Sequence, residues 1–247
     1  HATIRGSGNK STSVGVAAVA RYDLTGMIAK GMPVERLPAS LHAPAFLDAA
    51  KRTYSPDRID FVLAQPEVAR TFEGIDPATT RAVWMDAIRA EPMRYIAVKT
   101  EQYAWLLGLH RLDRCLPVHV GVEGNVAYLA ASGFRVGSDA RDHVLFRLSM
   151  FTRHFALYRH WFYLVVFAAS LVAAFAMGRR LRATEKRVLA ALGISVMVLY
   201  ASFWPTVLAC DFRYLYPGVT MISVLALYLL ARPGENVIHP RMSTIHD

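Results

Sequence analysis

The sequence predicts a mainly α-helical, polytopic membrane protein with a helical domain outside the bilayer. Three observations carry this. Hydrophobic residues make up 54% of the 247 residues and charged residues 19%, against roughly 45–50% and 25% in soluble domains. The excess is uneven: residues 1–160 hold 20 Lys/Arg and 15 Asp/Glu, whereas residues 161–247 hold 8 and 4. Those few charges cluster between long apolar runs, and the runs are long enough for membrane spans. The net charge of +9 therefore needs no nucleic acid to explain it. No nucleic-acid partner is expected.

Residues 1–159 are read as the outer domain, which the topology argued below places on the extracellular or periplasmic side. The chain begins at His1 with no basic n-region and apolar h-region, so no signal peptide is visible. A domain of this kind needs something upstream to carry it outward, and the chain is read as part of a longer polytopic protein. Residues 1–20 are rich in Gly, Ser, Ala and Val without a clear helical period, and Val16–Tyr22 reads as a short strand. Arg5-Gly6-Ser7-Gly8-Asn9-Lys10-Ser11-Thr12 superficially resembles a phosphate-binding loop. Such a loop needs Gly where Asn9 and Ile4 stand, so a plain loop is expected.

Pro33–Pro44 reads as a loop and Ala45–Tyr54 as a helix, with Phe46, Leu47 and Ala50 on one side. Pro56, Pro66 and Pro77 then cut the chain into short pieces. Asp76 is a good N-cap, Pro77 suits a first helical position, and Val83, Trp84, Ala87 and Ile88 recur at helical spacing. Pro92 starts a second helix carrying Tyr95, Ile96, Lys99, Tyr103, Leu106 and Leu107. Trp84, Ile88, Tyr95 and Leu106 are expected to be buried. Pro117–Ala131 alternates around Glu123-Gly124-Asn125, which suggests a small β-hairpin. Ser138–Tyr158 reads as a basic amphipathic helix that continues into the first span or lies along the outer interface.

Residues 160–231 form the predicted transmembrane region. A span needs roughly 20 apolar residues at 1.5 Å rise each. Trp161–Met177, Val188–Cys210 and Tyr214–Ala231 meet that length or nearly so, and none holds Asp, Glu, Lys or Arg. One such stretch would suit the core of a soluble protein; three joined by short charged connections predict three spans. The connection at 178–187 carries five basic residues and one Glu, which marks it as cytoplasmic. The connection at 211–213 then faces outward and the tail at 232–247 is cytoplasmic. Trp161, Tyr163, Trp204, Tyr214 and Tyr216 fall at the outer ends, where aromatic rings settle among headgroups. Pro205, inside the second span, removes a backbone donor. Neighbouring helices are expected to offset that loss.

Little in the sequence points to catalysis. The histidines, among them His110, His119, His143, His154 and His160, are scattered without metal-ligand spacing, and no Gly-x-Ser-x-Gly elbow occurs. No metal or cofactor is expected. Cys115 and Cys210 both fall on the outer side, where an oxidising compartment permits a disulfide. Nothing in the sequence brings Cys115 beside the helix end at Cys210, so two buried or free thiols are the expected state. The strongest polar feature is Asp211-Phe212-Arg213-Tyr214-Leu215-Tyr216-Pro217. A guanidinium at a membrane surface suits phosphate oxygens, or it snorkels to headgroups beside Asp211.

This last element resembles the RY-x-x-P motif late in bacterial membrane glycosyltransferases of the GT-C superfamily, protein-mannosyltransferase-like and aminoarabinose-transferase-like. Tyr22-Asp23-Leu24-Thr25-Gly26-Met27 resembles the start of the outer region in uncharacterised members. Trp84-Met85-Asp86-Ala87-Ile88 with Glu91-Pro92-Met93-Arg94-Tyr95-Ile96 resembles a helix pair before their terminal spans. The resemblance covers most of residues 20–231. It implies the C-terminal part of a multi-pass enzyme of the cell membrane, bacterial inner membrane by analogy, that takes a sugar from a polyprenyl phosphate on the outer face. Arg213 and the adjacent Tyr214 are the residues it maps to the lipid phosphate. The family's catalytic acid lies nearer the N-terminus of the full protein and has no counterpart here. Implied partners are the bilayer, a polyprenyl-phosphate sugar and further transmembrane helices. The alternative is a non-enzymatic multi-pass protein, an assembly subunit or an anchor for the outer domain.

Overall fold

The computed structural model describes residues 7–33, 35, 37–111, 115, 126–133, 137–152 and 154–232. For residues 7–14, 40 and 126–128 it describes the backbone alone. Among these residues the chain is helical, with no named strand: α1 (Ser7–Ala29), α2 (Pro44–Thr53), α3 (Ile59–Leu63), α4 (Pro66–Glu73), α5 (Pro77–Ala90), α6 (Pro92–Leu106), α7 (Val126–Ala131), α8 (Ala140–Thr152), α9 (His160–Ala176), α10 (Ala183–Thr206) and α11 (Tyr216–Ala231).

The expected strand at Val16–Tyr22 is instead the middle of α1, a 23-residue helix. Its missing period has a physical cause. α1 is the central helix of the first cluster, packed by α2, α3, α5 and α6, and a helix contacted on several sides shows no single apolar stripe. Ala20, Tyr22, Leu24, Met27 and Ile28 are all buried. Around them pack Phe46, Ala50, Val62, Val68, Phe72 and Val98.

The capping signals hold. Asp76 Oδ1 accepts hydrogen bonds from the backbone N–H groups of Ala78 at 2.9 Å and Thr79 at 3.0 Å, starting α5 with Pro77 in its first turn. Pro92 occupies the same place in α6. Leu106 is buried as expected, while Trp84, Ile88 and Tyr95 are only half-buried. The indole of Trp84 packs edge-on to Tyr95, and Tyr95 to Trp204 of α10, with centroids 6.1 Å apart in each pair.

A second apolar cluster gathers Leu106, Phe167, Leu189, Val196, Tyr200, Leu215, Ile222 and Leu225, with α11 packed against both α9 and α10. Of the three expected spans, two have the full length for a crossing. Two segments, Ala183–Thr206 and Phe212–Ala231, are long and apolar enough to cross a membrane, and His160–Ala176, at 17 residues, is shorter. The second span also begins five residues earlier than read, at Ala183, where the Glu185 carboxylate accepts from the Arg182 backbone N–H at 2.6 Å. It stops at Thr206, directly after Pro205, so this proline sits in the last turn and not mid-span. Large apolar side chains such as Val172, Phe175, Val188, Met197, Leu227 and Leu230 stand exposed on the three helices.

Two further expectations change. Val126–Ala131, read as one arm of a hairpin, is a helix; residues 116–125 lie outside the described residues. The helix expected over 138–158 is interrupted: α8 ends at Thr152, a single 3-10 turn covers Ala156–Tyr158, and α9 starts at His160. Val144, Leu148 and Phe151, spaced at helical intervals on α8, are exposed. The tail at 233–247 lies outside the described residues.

Candidate functional site at the joint between the two clusters

α6 ties the clusters together, contributing Val98 to the first core and Leu106 to the second. Between these two residues it carries Lys99, a cation on its apolar stripe. Lys99 and Asp23 of α1 form an ion pair with Nζ 2.8 Å from Oδ1, both side chains fully buried. The ammonium also donates to Gln102 Oε1 at 2.9 Å and to the Val207 carbonyl at 3.2 Å. Gln102 in turn donates from Nε2 to the Tyr54 hydroxyl at 3.2 Å. The Tyr22 hydroxyl donates to the Ser55 carbonyl at 2.7 Å, and Ser55 donates to Asp57. A buried charge survives only when it is compensated: Lys99 is paired and hydrogen-bonded, Asp23 is held by the ion pair, and the network draws on α1, the 54–57 segment, α6 and the end of α10.

Burial pushes the Asp23 carboxyl up to about 6, against the opposing pull of Lys99, Gln102 and the Trp84 indole. Desolvation likewise lowers the Lys99 ammonium, offset in part by Asp23. Burial raises the Tyr22 and Tyr54 phenols as well, so both are neutral hydrogen-bonding groups near pH 7. The packing is tight enough to require glycine at position 26. A Cβ added there would lie 2.7–2.8 Å from ring and hydroxyl atoms of Tyr54.

The α10–α11 connection is stitched to the same place. Ile59 N–H donates to the Leu208 carbonyl at 2.9 Å and Cys210 N–H to the Asp57 carbonyl at 2.8 Å, around an antiparallel bridge between Arg58 and Ala209. Cys115 and Cys210 form a disulfide with Cα atoms 5.5 Å apart, packed beside Trp105. The expected two buried or free thiols are buried but paired, which corrects that expectation. The end of α6 and the loop beyond it bring Cys115 to the α10–α11 connection, a tertiary placement that spacing does not reveal. Tyr103 extends the tie by donating its hydroxyl to the Tyr200 carbonyl at 2.9 Å. Arg159 and Trp161 fix the start of α9 by donating to the Gly108 and Leu107 carbonyls at 2.9 and 3.0 Å.

Beyond Cys210 lies the loop that holds the sequence-predicted site. Phe212 anchors it, stacked on His160 with centroids 4.4 Å apart and surrounded by Tyr158, Tyr163 and Tyr216. Asp211 grips Arg213 through both carboxylate oxygens. Nε of Arg213 donates to Oδ1 at 2.9 Å and to Oδ2 at 3.0 Å, and Nη2 also donates to Oδ2. Burial tends to raise the Asp211 carboxyl, but the hydrogen bonds and charge of Arg213 hold it below its ordinary value. The Arg213 side chain is 67% exposed, so it points outward and not into the protein interior. Tyr214 is exposed and stacks on Phe203 at 6.1 Å. Asp211 covers the Nε–Nη2 edge of the guanidinium, and the Nη1 edge has no hydrogen bond among the described residues.

The three stretches that carried the resemblance converge on this joint. Tyr22, Asp23 and Gly26 stand in the buried network, Trp84 touches Asp23 and Tyr95, and the 211–217 loop follows the segment bonded to Lys99 and Asp57. The sequence assigns no site role to Asp23, Lys99, Gln102 or Tyr54. One signal was available: Lys99 sits four residues from both Tyr95 and Tyr103 on an otherwise apolar face. Among the described residues no cluster of three His, Cys, Asp or Glu side chains gathers that could hold a metal. Neither a protein-family model, a curated protein nor a solved structure matches this chain.

Proposed function

We propose that the chain is a membrane-anchored unit that fixes a helical domain against the outer ends of its spans, as the C-terminal part of a transferase using a polyprenyl-phosphate sugar. The convergence of the three motif stretches on one joint carries this reading. A joint of buried charge, backbone pairing and disulfide suits a rigid platform beside the headgroup layer. Orientation has two independent supports. The disulfide at the α10–α11 connection suits an oxidising compartment, and the five basic residues at 178–187 suit the cytoplasmic face. α9 is taken as a third span, because 17 residues lie at the short end of the spanning range and reach about 25 Å. The cell membrane is the proposed location, with further helices around the exposed apolar faces.

In the transferase reading, Arg213 offers its uncovered Nη1 edge to a lipid-linked phosphate while Asp211 fixes the fork, and Tyr214 flanks it. The test uses the protein expressed from its complete coding sequence, with transfer from a polyprenyl-phosphate sugar compared in the parent, Arg213→Lys and Arg213→Ala. Loss in the Ala variant and partial activity with Lys support the reading. The second reading, a non-enzymatic anchor or assembly subunit, draws on the outward exposure of Arg213, which suits snorkelling to headgroups. Unchanged transfer in a normally inserted Ala variant would favour it.

A further inference from the structure

α9 and α10 meet at Gly193, where an added Cβ would lie 3.6 Å from Leu171 Cδ2 and 3.9 Å from the Phe167 ring. Toward the basic 178–187 connection they enclose an open groove of about 930 Å³. Leu171, Ala174 and Phe175 form one wall, Leu189 and Ala190 the other, and Leu225 of α11 the floor. Among the described residues only two charged side chains, Arg179 and Lys186, line it, both on the connection side. From Leu171 to Gly178 the slot runs about 10 Å along α9.

The acid that would otherwise neutralise these cations is committed elsewhere. Glu185, the one carboxylate of this segment, accepts from Arg182 N–H at 2.6 Å and from the Tyr228 hydroxyl at 2.8 Å, and pairs with Arg232 at 3.2 Å. Among the described residues neither Arg179 nor Lys186 meets a carboxylate. Two cations with no carboxylate partner among the described residues therefore stand over an apolar slot. An apolar helix laid into the slot would leave both without a counter-charge, whereas an anionic amphiphile satisfies slot and cations together.

We propose that this groove binds one anionic glycerophospholipid, with its phosphate held by Arg179 and Lys186 and an acyl chain laid against Leu171, Phe175 and Leu189. The proposal rests on the reading of α9–α11 as membrane-embedded. A lipid seated there would brace α9 against α10 where the two helices do not touch.

The test is native mass spectrometry of the intact chain in mild detergent, titrated with phosphatidylglycerol or phosphatidylcholine. The expected result is one retained phosphatidylglycerol per chain, preferred over phosphatidylcholine by about tenfold. Replacing the cations in Arg179→Gln/Lys186→Gln should weaken phosphatidylglycerol retention by about fivefold per charge, the scale expected for one basic group at a lipid surface. Arg187→Gln, a basic residue outside the groove, should stay within about twofold of the parent if the site is local. Ala174→Phe, which fills the slot, should reduce retention of both lipids. Equal retention of the two lipids, or an Arg187→Gln loss equal to that of the double variant, overturns the proposal. A carbonate wash of membranes separates the two levels of argument. A chain released by the wash removes the membrane reading itself, and a retained chain without lipid preference removes the groove site alone.

Discussion

Replacing Lys99 with Met keeps the length of the side chain and removes its charge, leaving Asp23 fully buried without a counter-charge. Breaking one half of a buried pair costs about 3–5 kcal/mol. The alternative open to Asp23 is to fold protonated. Drawing a carboxyl from its ordinary value of 3.8 to a neutral form at pH 7 costs about 4 kcal/mol, at about 1.4 kcal/mol per pH unit. That route sets the ceiling, so Lys99→Met is expected to lose about 3–4 kcal/mol at pH 7. Lowering the pH from 7 to about 6 should shrink the loss by about 1.4 kcal/mol, because the folded variant then holds a proton that the unfolded state lacks; below about 6 Asp23 of the parent takes up the same proton and the loss levels off. Asp23→Leu/Lys99→Met, with both charges gone, should recover most of the loss and show no such slope. Denaturant titration in mild detergent at pH 5, 6 and 7, followed by tryptophan emission, reads all three proteins, with Trp84 beside the pair. A Lys99→Met protein within about 1 kcal/mol of the parent at pH 7, with no pH dependence, would refute the buried pair.

Three further outcomes follow from the same joint. In the parent, the raised folded value of Asp23, about 6 against 3.8, means that this group's contribution is fully present below 3.8 and lost as pH rises through about 6. Asp23→Asn should remove that component from the stability–pH curve. Cys115→Ser/Cys210→Ser opens a loop with a sequence separation of 95 and should lower stability by roughly 4–5 kcal/mol on the chain-entropy account. Thiol alkylation of the parent should require reductant, and labelling without it would count against the pairing. Gly26→Ala drives a methyl into Tyr54 and should cost about 1–3 kcal/mol. Recovery in Gly26→Ala/Tyr54→Phe would trace the cost to the hydroxyl end of that ring, and no cost at all would mean the helix does not approach Tyr54 so closely.

How much of this was legible depended on whether the signal was local. Asp76, Pro77 and Pro92 announced α5 and α6, because capping and the constraint of proline act within one turn. The two longest apolar segments were legible from composition, and so was the basic connection between α9 and α10. α1 was not, since its neighbours bury it from several sides and erase the period that marks a surface helix. The break between α8 and α9 was missed because apolar residues recur at Phe151, Phe155 and Leu157 as on an amphipathic helix, while the backbone turns at Ala156–Tyr158. The joint is a tertiary object. Asp23 and Lys99 lie far apart in the chain, and the pairing of 57–59 with 208–210 joins two segments that carry no strand pattern. Arg213 was found in sequence because its motif is contiguous, but Asp211 placed beside it changes what it presents.

In the proposed orientation the first helical cluster lies on the oxidising side of a membrane and the α9–α10 connection on the other. Single cysteines at Glu73, exposed on α4, and at Thr184, exposed at the start of α10, test it directly with a membrane-impermeant maleimide on intact cells. The account predicts labelling of Glu73→Cys in intact cells and of Thr184→Cys only after the membrane is opened. Equal labelling of both in intact cells, or labelling of Thr184→Cys alone, would contradict it.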